Sequence, residues 1–214
     1  MSGNRVIVLV CLSVLMCGVG VRADGAEPAT QPSSVVSGKV TSQGEVPLSE
    51  MVVYLESPPE AKHEVAVPKE SIKVSQKGAK FAPAIVIACV GQTVDFLNDE
   101  DRAIEHNVFS NAPPKKFDLG LYKPGEYRSV LFDKPGAVFL YCSIHRHMDG
   151  VVFVSPTPFT SRVSEDGSYK IEGVPPGPWV VKTWQRRRRF PELSVLVLAA
   201  ADKNVAADLE LRLK

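Results

Sequence analysis

Apolar and polar residues alternate with a period of two in short runs along most of the chain. Val36–Thr41, Met51–Glu56, Ile85–Val90, Thr93–Leu97, Tyr127–Asp133, Val138–Cys142 and Val151–Val154 read as strands. Ser161–Ser164, Ser168–Glu172, Trp179–Gln185, Val195–Ala199 and Ala206–Leu213 continue the pattern. Turn residues separate the runs, among them Gly91-Gln92, Lys134-Pro135-Gly136, Asp166-Gly167 and Val174-Pro175-Pro176-Gly177-Pro178. Ser57–Glu70 contains three prolines and mixed charge, and reads as a connection. A helical period is absent, except that Leu193–Ala201 is rich in Leu and Ala and admits a helix as the alternative to a strand. The pattern predicts an all-β protein of two sandwiches.

The N-terminus breaks this pattern. Arg5 precedes an apolar run from Val6 to Val21 whose one polar side chain is Ser13, and Val21-Arg22-Ala23 follows. The run is short for a membrane span, which needs about 20 residues, and suits an export signal cleaved after Ala23. An uncleaved anchor is the alternative. Residues 24–35, polar and with two prolines, read as a tether. No membrane span is expected once the signal is removed.

Composition and charge then narrow the function. The 214 residues are 44% hydrophobic and 23% charged, which excludes general disorder. Twenty-five basic and 24 acidic residues give a net charge of +1; loss of residues 1–23 removes Arg5 and Arg22 and brings it to −1. Such a balance argues against nucleic acid as a partner. Cys11 and Cys17 leave with the signal, so the mature chain keeps Cys89 and Cys142. The G-x-S-x-G, H-E-x-x-H, P-loop and G-x-G-x-x-G patterns are all missing.

The candidate chemistry lies in Cys142, His145 and Met148, a C-x2-H-x2-M pattern at the end of a predicted strand. A thiolate, an imidazole and a thioether together suit a soft, redox-active metal. A second imidazole must come from elsewhere, and Glu105-His106-Asn107-Val108-Phe109 offers His106. Two His, one Cys and a weak axial Met form the ligand set of a blue-copper electron-transfer site. Pairing with Cys89 is the alternative use of Cys142, and loop packing that of Met148. Cys89 reads as a small buried hydrophobe. His147 reads as a solvent-facing neighbour, with substitution as a ligand the alternative. His63, in the Pro-rich connection, reads as a surface residue.

These residues resemble the cupredoxins over about residues 72–155, and the C-x2-H-x2-M spacing is that of amicyanin-type members. Lys80-Phe81-Ala82-Pro83-Ala84-Ile85, then Val90-Gly91-Gln92-Thr93-Val94, then His106-Asn107-Val108 follow the order of cupredoxin landmarks. The resemblance implies a Greek-key β-sandwich holding one copper ion, cycling between Cu(I) and Cu(II). His106, Cys142 and His145 would be equatorial ligands and Met148 the axial one. Asn107 would tie the His106 strand to the backbone of the Cys142 loop. The sequence departs from amicyanin-like loops at Arg146-His147, where those carry proline and an aromatic residue.

Residues 157–214 lack metal ligands. Ser164–Ile171 followed by Gly173-Val174-Pro175-Pro176-Gly177 resembles the carboxypeptidase regulatory-like, or transthyretin-like, β-sandwich. The opening strand of that module resembles Ser37-Gly38-Lys39-Val40-Thr41, more than 100 positions earlier, with Pro47-Leu48 and Val52–Leu55 after it. Residues 36–56 are therefore expected to complete the C-terminal sandwich, with the cupredoxin inserted; extension of the cupredoxin sheet is the alternative. The combination resembles methylamine-utilisation-like or plastocyanin-like exported proteins. Arg186–Arg189, the densest charge run, is either a solvated loop or a docking patch for an acidic partner.

Together these features predict a periplasmic or secreted blue-copper protein, not an enzyme, that carries single electrons between redox partners such as a cytochrome or a dehydrogenase. The alternatives are a copper carrier or buffer without electron transfer, and a structural sandwich with a vestigial site.

Overall fold

Seventeen short strands account for nearly all regular structure in the computed structural model, which describes residues 33–44 and 46–213. The expected signal, residues 1–23, and most of the tether lie outside the described residues. β1 (Ser34–Ser42) and β2 (Met51–Glu56) come first. They are followed by β3 (Ile72–Gln76), β4 (Phe81–Ala82), β5 (Ile85–Cys89), β6 (Gln92–Asn98), β7 (Phe109–Ala112), β8 (Lys115–Asp118), β9 (Tyr127–Phe132), β10 (Gly136–Tyr141) and β11 (Asp149–Ser155). β12 (Thr160–Arg162), β13 (Ser168–Val174), β14 (Gly177–Gln185), β15 (Ser194–Ala199), β16 (Asn204–Ala206) and β17 (Leu209–Leu211) complete the chain. A 3-10 turn at Leu48–Glu50 is the one helical element among the described residues. The all-β expectation holds, and no helix among these residues is long and apolar enough to cross a membrane.

Strands β3–β11 make two sheets, in the orders β4-β3-β6-β9 and β5-β11-β10-β7-β8. Val74, Val94, Phe96 and Phe132 of the first face Val86, Val138, Leu140 and Val152 of the second across a closed core. The strict alternation of buried and half-buried residues along Gln92–Asn98 is the period of a strand with one face on that core.

The remaining strands form another pair of sheets. β1 pairs antiparallel with β13, placing Val36 opposite Ile171, and runs parallel to β16 and β17. β2 lies between β12 and β14, so that Tyr54 faces both Thr160 and Lys182. Val36, Leu55, Ile171, Trp179 and Val181 fill the core between these sheets. At Gly38 the backbone of β1 comes so close to Ala207 that an added Cβ would lie 2.2 Å from its carbonyl oxygen. Only glycine permits that approach.

β2 and β11 are buried on both faces, and the reason is visible residue by residue. Met51, Val53 and Leu55 of β2 enter one core, whereas Val52 and Tyr54 point the other way, onto Phe153 of β11. Phe153 stacks on Trp184 at 4.7 Å between ring centroids and meets the edge of Tyr54 at 5.1 Å. The Arg162 guanidinium donates to the Ile85 carbonyl beside this cluster. The two sandwiches thus share an aromatic seam.

The strand expected at Val195–Ala199 is present over Ser194–Ala199, and the alternative helix is not: Val197 and Ala199 are buried while Leu196 and Leu198 are exposed, a period of two. Other local expectations change. The run expected at Ala206–Leu213 is two strands, interrupted where Asp208 Oδ1 accepts the Lys39 amide at 2.8 Å. The β7–β8 hairpin was hidden by Pro113-Pro114-Lys115-Lys116, which carries no apolar alternation. His63, expected at the surface, is half-buried: it stacks on Trp179 at 4.0 Å, with Nε2 2.9 Å from the Pro178 carbonyl.

Candidate metal centre

Ladder register carries His106 to Cys142 across 36 residues of sequence. β7 and β10 are antiparallel neighbours with Phe109 opposite Tyr141. The segment before β7 therefore lies beside the residues just beyond β10. His106 is clamped to Tyr122 by two backbone hydrogen bonds, of 3.2 and 2.9 Å. Asn98 supports the same loop, its Nδ2 donating to the carbonyls of Ile104 at 3.0 Å and Tyr122 at 2.9 Å.

Cys142 follows the last residue of β10, and Asp149, the first of β11, pairs with Tyr141. Loop 142–148 is therefore a closed hairpin loop with fixed ends. Inside it the Met148 amide donates to the His145 carbonyl at 2.9 Å. Asn107 makes the expected tie: its Oδ1 accepts from the Ser143 amide at 2.7 Å and the Ser143 hydroxyl at 2.9 Å. Its Nδ2 donates to Asp118 at 3.1 Å.

His106, Cys142 and His145 bring their donor atoms within 4.8 Å of one another. Cys142 Sγ is 3.8 Å from His106 Nδ1 and 3.7 Å from His145 Nδ1. First-row ions such as zinc bond at about 2.0 Å to imidazole nitrogen and about 2.3 Å to thiolate; a trigonal angle between two such bonds leaves the donors about 3.7 Å apart. Both sulfur–nitrogen separations match that value. His106 is fully buried, Cys142 is 5% exposed, and Met148 is 1% exposed in the same buried cluster as Cys142. His145 is half-buried, and its accessible side lies in a shallow depression with Ile104, Pro124 and Ile144.

Glu100 belongs to the centre although sequence reasoning did not single it out. Its Oε1 lies 2.9 Å from His106 Nε2. A carboxylate can only accept, so Nε2 carries the proton and Nδ1 turns a lone pair toward Cys142. The same bond from His106 holds the Glu100 carboxyl below its ordinary pKa. Glu100 was concealed in the acidic run Asp99-Glu100-Asp101, which reads as a solvated turn. Its position two residues after Asn98, whose Oδ1 accepts the Glu100 amide at 3.2 Å, was the available signal.

Among the described residues Cys89 and Cys142 are both free thiols, so the two do not pair with each other. Cys89 is buried in β5, and burial pushes its thiol pKa up. His147 and Arg146 are exposed, and His147 stands outside the donor cluster.

Comparison with solved structures returns copper proteins. A purple cupredoxin from Nitrosopumilus maritimus is 25% identical over 40% of this chain and 100% of its own, with a TM-score of 0.36. A mutant of amicyanin in its Cu(I) form is 24% identical over 42% of this chain and 86% of its own, with a TM-score of 0.37. The copper-containing nitrite reductase from Thermus scotoductus is 24% identical over 54% of this chain but only 28% of its own, with a TM-score of 0.39. No protein-family model matches the chain, and no curated protein matches it. With TM-scores this low, the reading of the centre rests on its own residues.

Proposed function

We propose that this chain is an exported type 1 copper protein that carries single electrons between redox partners in the periplasm or outside the cell. The observation that carries this reading is the convergence of His106 Nδ1 and His145 Nδ1 on Cys142 Sγ, at 3.8 and 3.7 Å, with all three donors within 4.8 Å and Met148 buried in the same cluster as Cys142. One thiolate and two imidazoles suit copper in both of its oxidation states, and a weak thioether leaves both accessible. When bound, copper would supply a one-electron Cu(I)/Cu(II) couple.

In this reading His106, Cys142 and His145 are the equatorial ligands and Met148 the axial one. Glu100 fixes the tautomer of His106, and Asn107 fixes the loop that carries the other ligands. Ligands held by the fold in one arrangement need little movement between oxidation states. Burial of His106 and Met148 keeps water away, and the half-buried His145 is the side on which a cytochrome or a dehydrogenase would approach. Electron transfer requires no bound substrate, so no catalytic role is assigned.

The reading extends to the domains. Residues 72–155 are the cupredoxin unit, inserted in a transthyretin-like sandwich built from residues 36–56 and 157–214. Pairing of β1 with β13, and of β2 with β12 and β14, supports this division.

Copper titration followed by visible absorption tests the function. A reversible, intense blue or purple band that Cys142→Ser abolishes is the expected result. Tight copper binding without a thiolate charge-transfer band would replace electron transfer with carriage or buffering. A colourless protein without tight binding would leave a structural sandwich.

A further inference from the structure

The arginine run sits on the connection between β14 and β15 and is fixed at both ends. At its start, Arg186 forms an ion pair with Asp149. Asp149 adjoins Met148 and lies opposite Tyr141, which adjoins Cys142, in the β10–β11 ladder. At its end, the buried Gln185 side chain accepts the amides of Arg189 at 3.0 Å and Phe190 at 3.2 Å, and donates to the Phe190 carbonyl at 3.1 Å. Phe190 is buried in the neighbouring core.

This anchoring leaves Arg187, Arg188 and Arg189 exposed on a loop of defined shape. Among the described residues no carboxylate lies within 4.0 Å of their guanidinium nitrogens. Glu192, the nearest acid in sequence, is engaged by Lys182 at 3.3 Å. Glu50 lines the same groove as Arg187 and Arg189 without pairing to either. Adjacent guanidiniums repel one another, and among the described residues no direct ion pair offsets that repulsion at Arg187, Arg188 or Arg189. Arg146, exposed on the metal loop itself, adds a further cation.

We infer that Arg187, Arg188 and Arg189, together with Arg146, form a docking surface for a carboxylate-rich redox protein. The inference deepens the electron-carrier reading and rests on it. Guanidinium forks match carboxylates bidentately, and a patch of one sign raises the rate of encounter with its opposite. A protein seated there lies against the loop that holds three of the four proposed ligands. An anionic lipid surface fits less well, because the aromatic residues flanking the run are engaged by the protein: Phe190 is buried and Trp184 stacks on Phe153.

The test uses the mature chain, with poly-L-glutamate and hexacyanoferrate(III) as probes. Calorimetric binding of poly-L-glutamate at low salt should weaken about tenfold in Arg187→Gln/Arg188→Gln/Arg189→Gln and lose most of its salt dependence. Lys115→Gln/Lys116→Gln/Lys134→Gln, on β8 and the turn between β9 and β10, removes the same three charges and should bind like the parent. Oxidation of the reduced copper-loaded protein by hexacyanoferrate(III) should slow severalfold in the triple variant alone. Equal weakening in both variants, an unchanged rate in the triple variant, or binding of phosphatidylglycerol vesicles in preference to poly-L-glutamate would overturn the inference. The poly-L-glutamate arm is also run on metal-free protein. If the Arg-dependent binding is present there but no coloured copper form can be made, the failure belongs to the electron-carrier reading and not to the surface.

Discussion

Glu100 Oε1 and His106 Nε2 are 2.9 Å apart, and the two side chains are 8% and 0% exposed. The pair places a negative charge directly behind a proposed metal ligand, shielded from bulk water. Such a charge favours the more positive oxidation state of a bound ion. Glu100→Gln retains an acceptor for Nε2 and removes the charge. It should raise the midpoint potential of the copper-loaded protein by tens of millivolts and leave its visible spectrum in place. Voltammetry of the two proteins decides this; an equal or lower potential in the variant contradicts it.

Asn107→Ala removes the acceptor of the Ser143 amide and hydroxyl and unties the loop from the His106 segment. Ser143 is exposed, so its freed donors meet water and the loss is that of an ordinary hydrogen bond, about 0.5–1.5 kcal/mol. Urea unfolding of the metal-free protein should show a loss in that range. Copper should also leave the variant for a chelator faster than it leaves the parent.

The aromatic seam predicts coupled unfolding. Phe153 is almost fully buried between Tyr54 and Trp184, and truncation of such a ring costs about 3–5 kcal/mol. Phe153→Ala should split a single calorimetric transition into two, since each sandwich keeps its own core. A single transition with unchanged midpoint would show that the seam does not transmit stability.

Alkaline pH acts on the outer sandwich through its tyrosines. Burial holds the Tyr169 phenol well above its ordinary pKa of 10.0, and burial with the nearby Glu192 and Glu56 does the same for Tyr54. A folded-state pKa above the unfolded one means that the contribution is complete below about pH 10 and is lost as pH climbs toward the folded values. The urea midpoint should therefore fall between about pH 9 and about pH 11, and Tyr169→Phe should flatten part of that slope. An identical slope in the variant would remove Tyr169 from the explanation.

Periodicity made most of the strands readable, because each needs only an alternation that a few residues display. Met51–Glu56 was found to the residue, though its double burial was not: nothing local says that Tyr54 faces a second core. The β7–β8 hairpin was missed because its strands are half-polar and flank two prolines. Near the candidate centre, Cys142, His145 and Met148 stood out by their spacing, and Asn107 only through the resemblance to cupredoxins. Glu100 did not, since a carboxylate in an acidic turn looks the same whether it meets water or an imidazole. His63 escaped for a related reason: stacking on Trp179 depends on a partner more than 100 positions away.

Residues 57–159 leave the outer sandwich at β2 and return at β12, and those two strands are direct antiparallel neighbours, with Tyr54 opposite Thr160. Topologically, everything that bears the proposed ligands is one closed loop on its host. Holding the ends of a flexible segment of roughly 100 residues together carries a large entropic penalty, and a folded insert with fixed exits removes most of it. Any ion that tightens the inner fold would thereby act as a clasp on strands it never touches, and the heat resistance of the outer sandwich would report on whether the inner one is loaded.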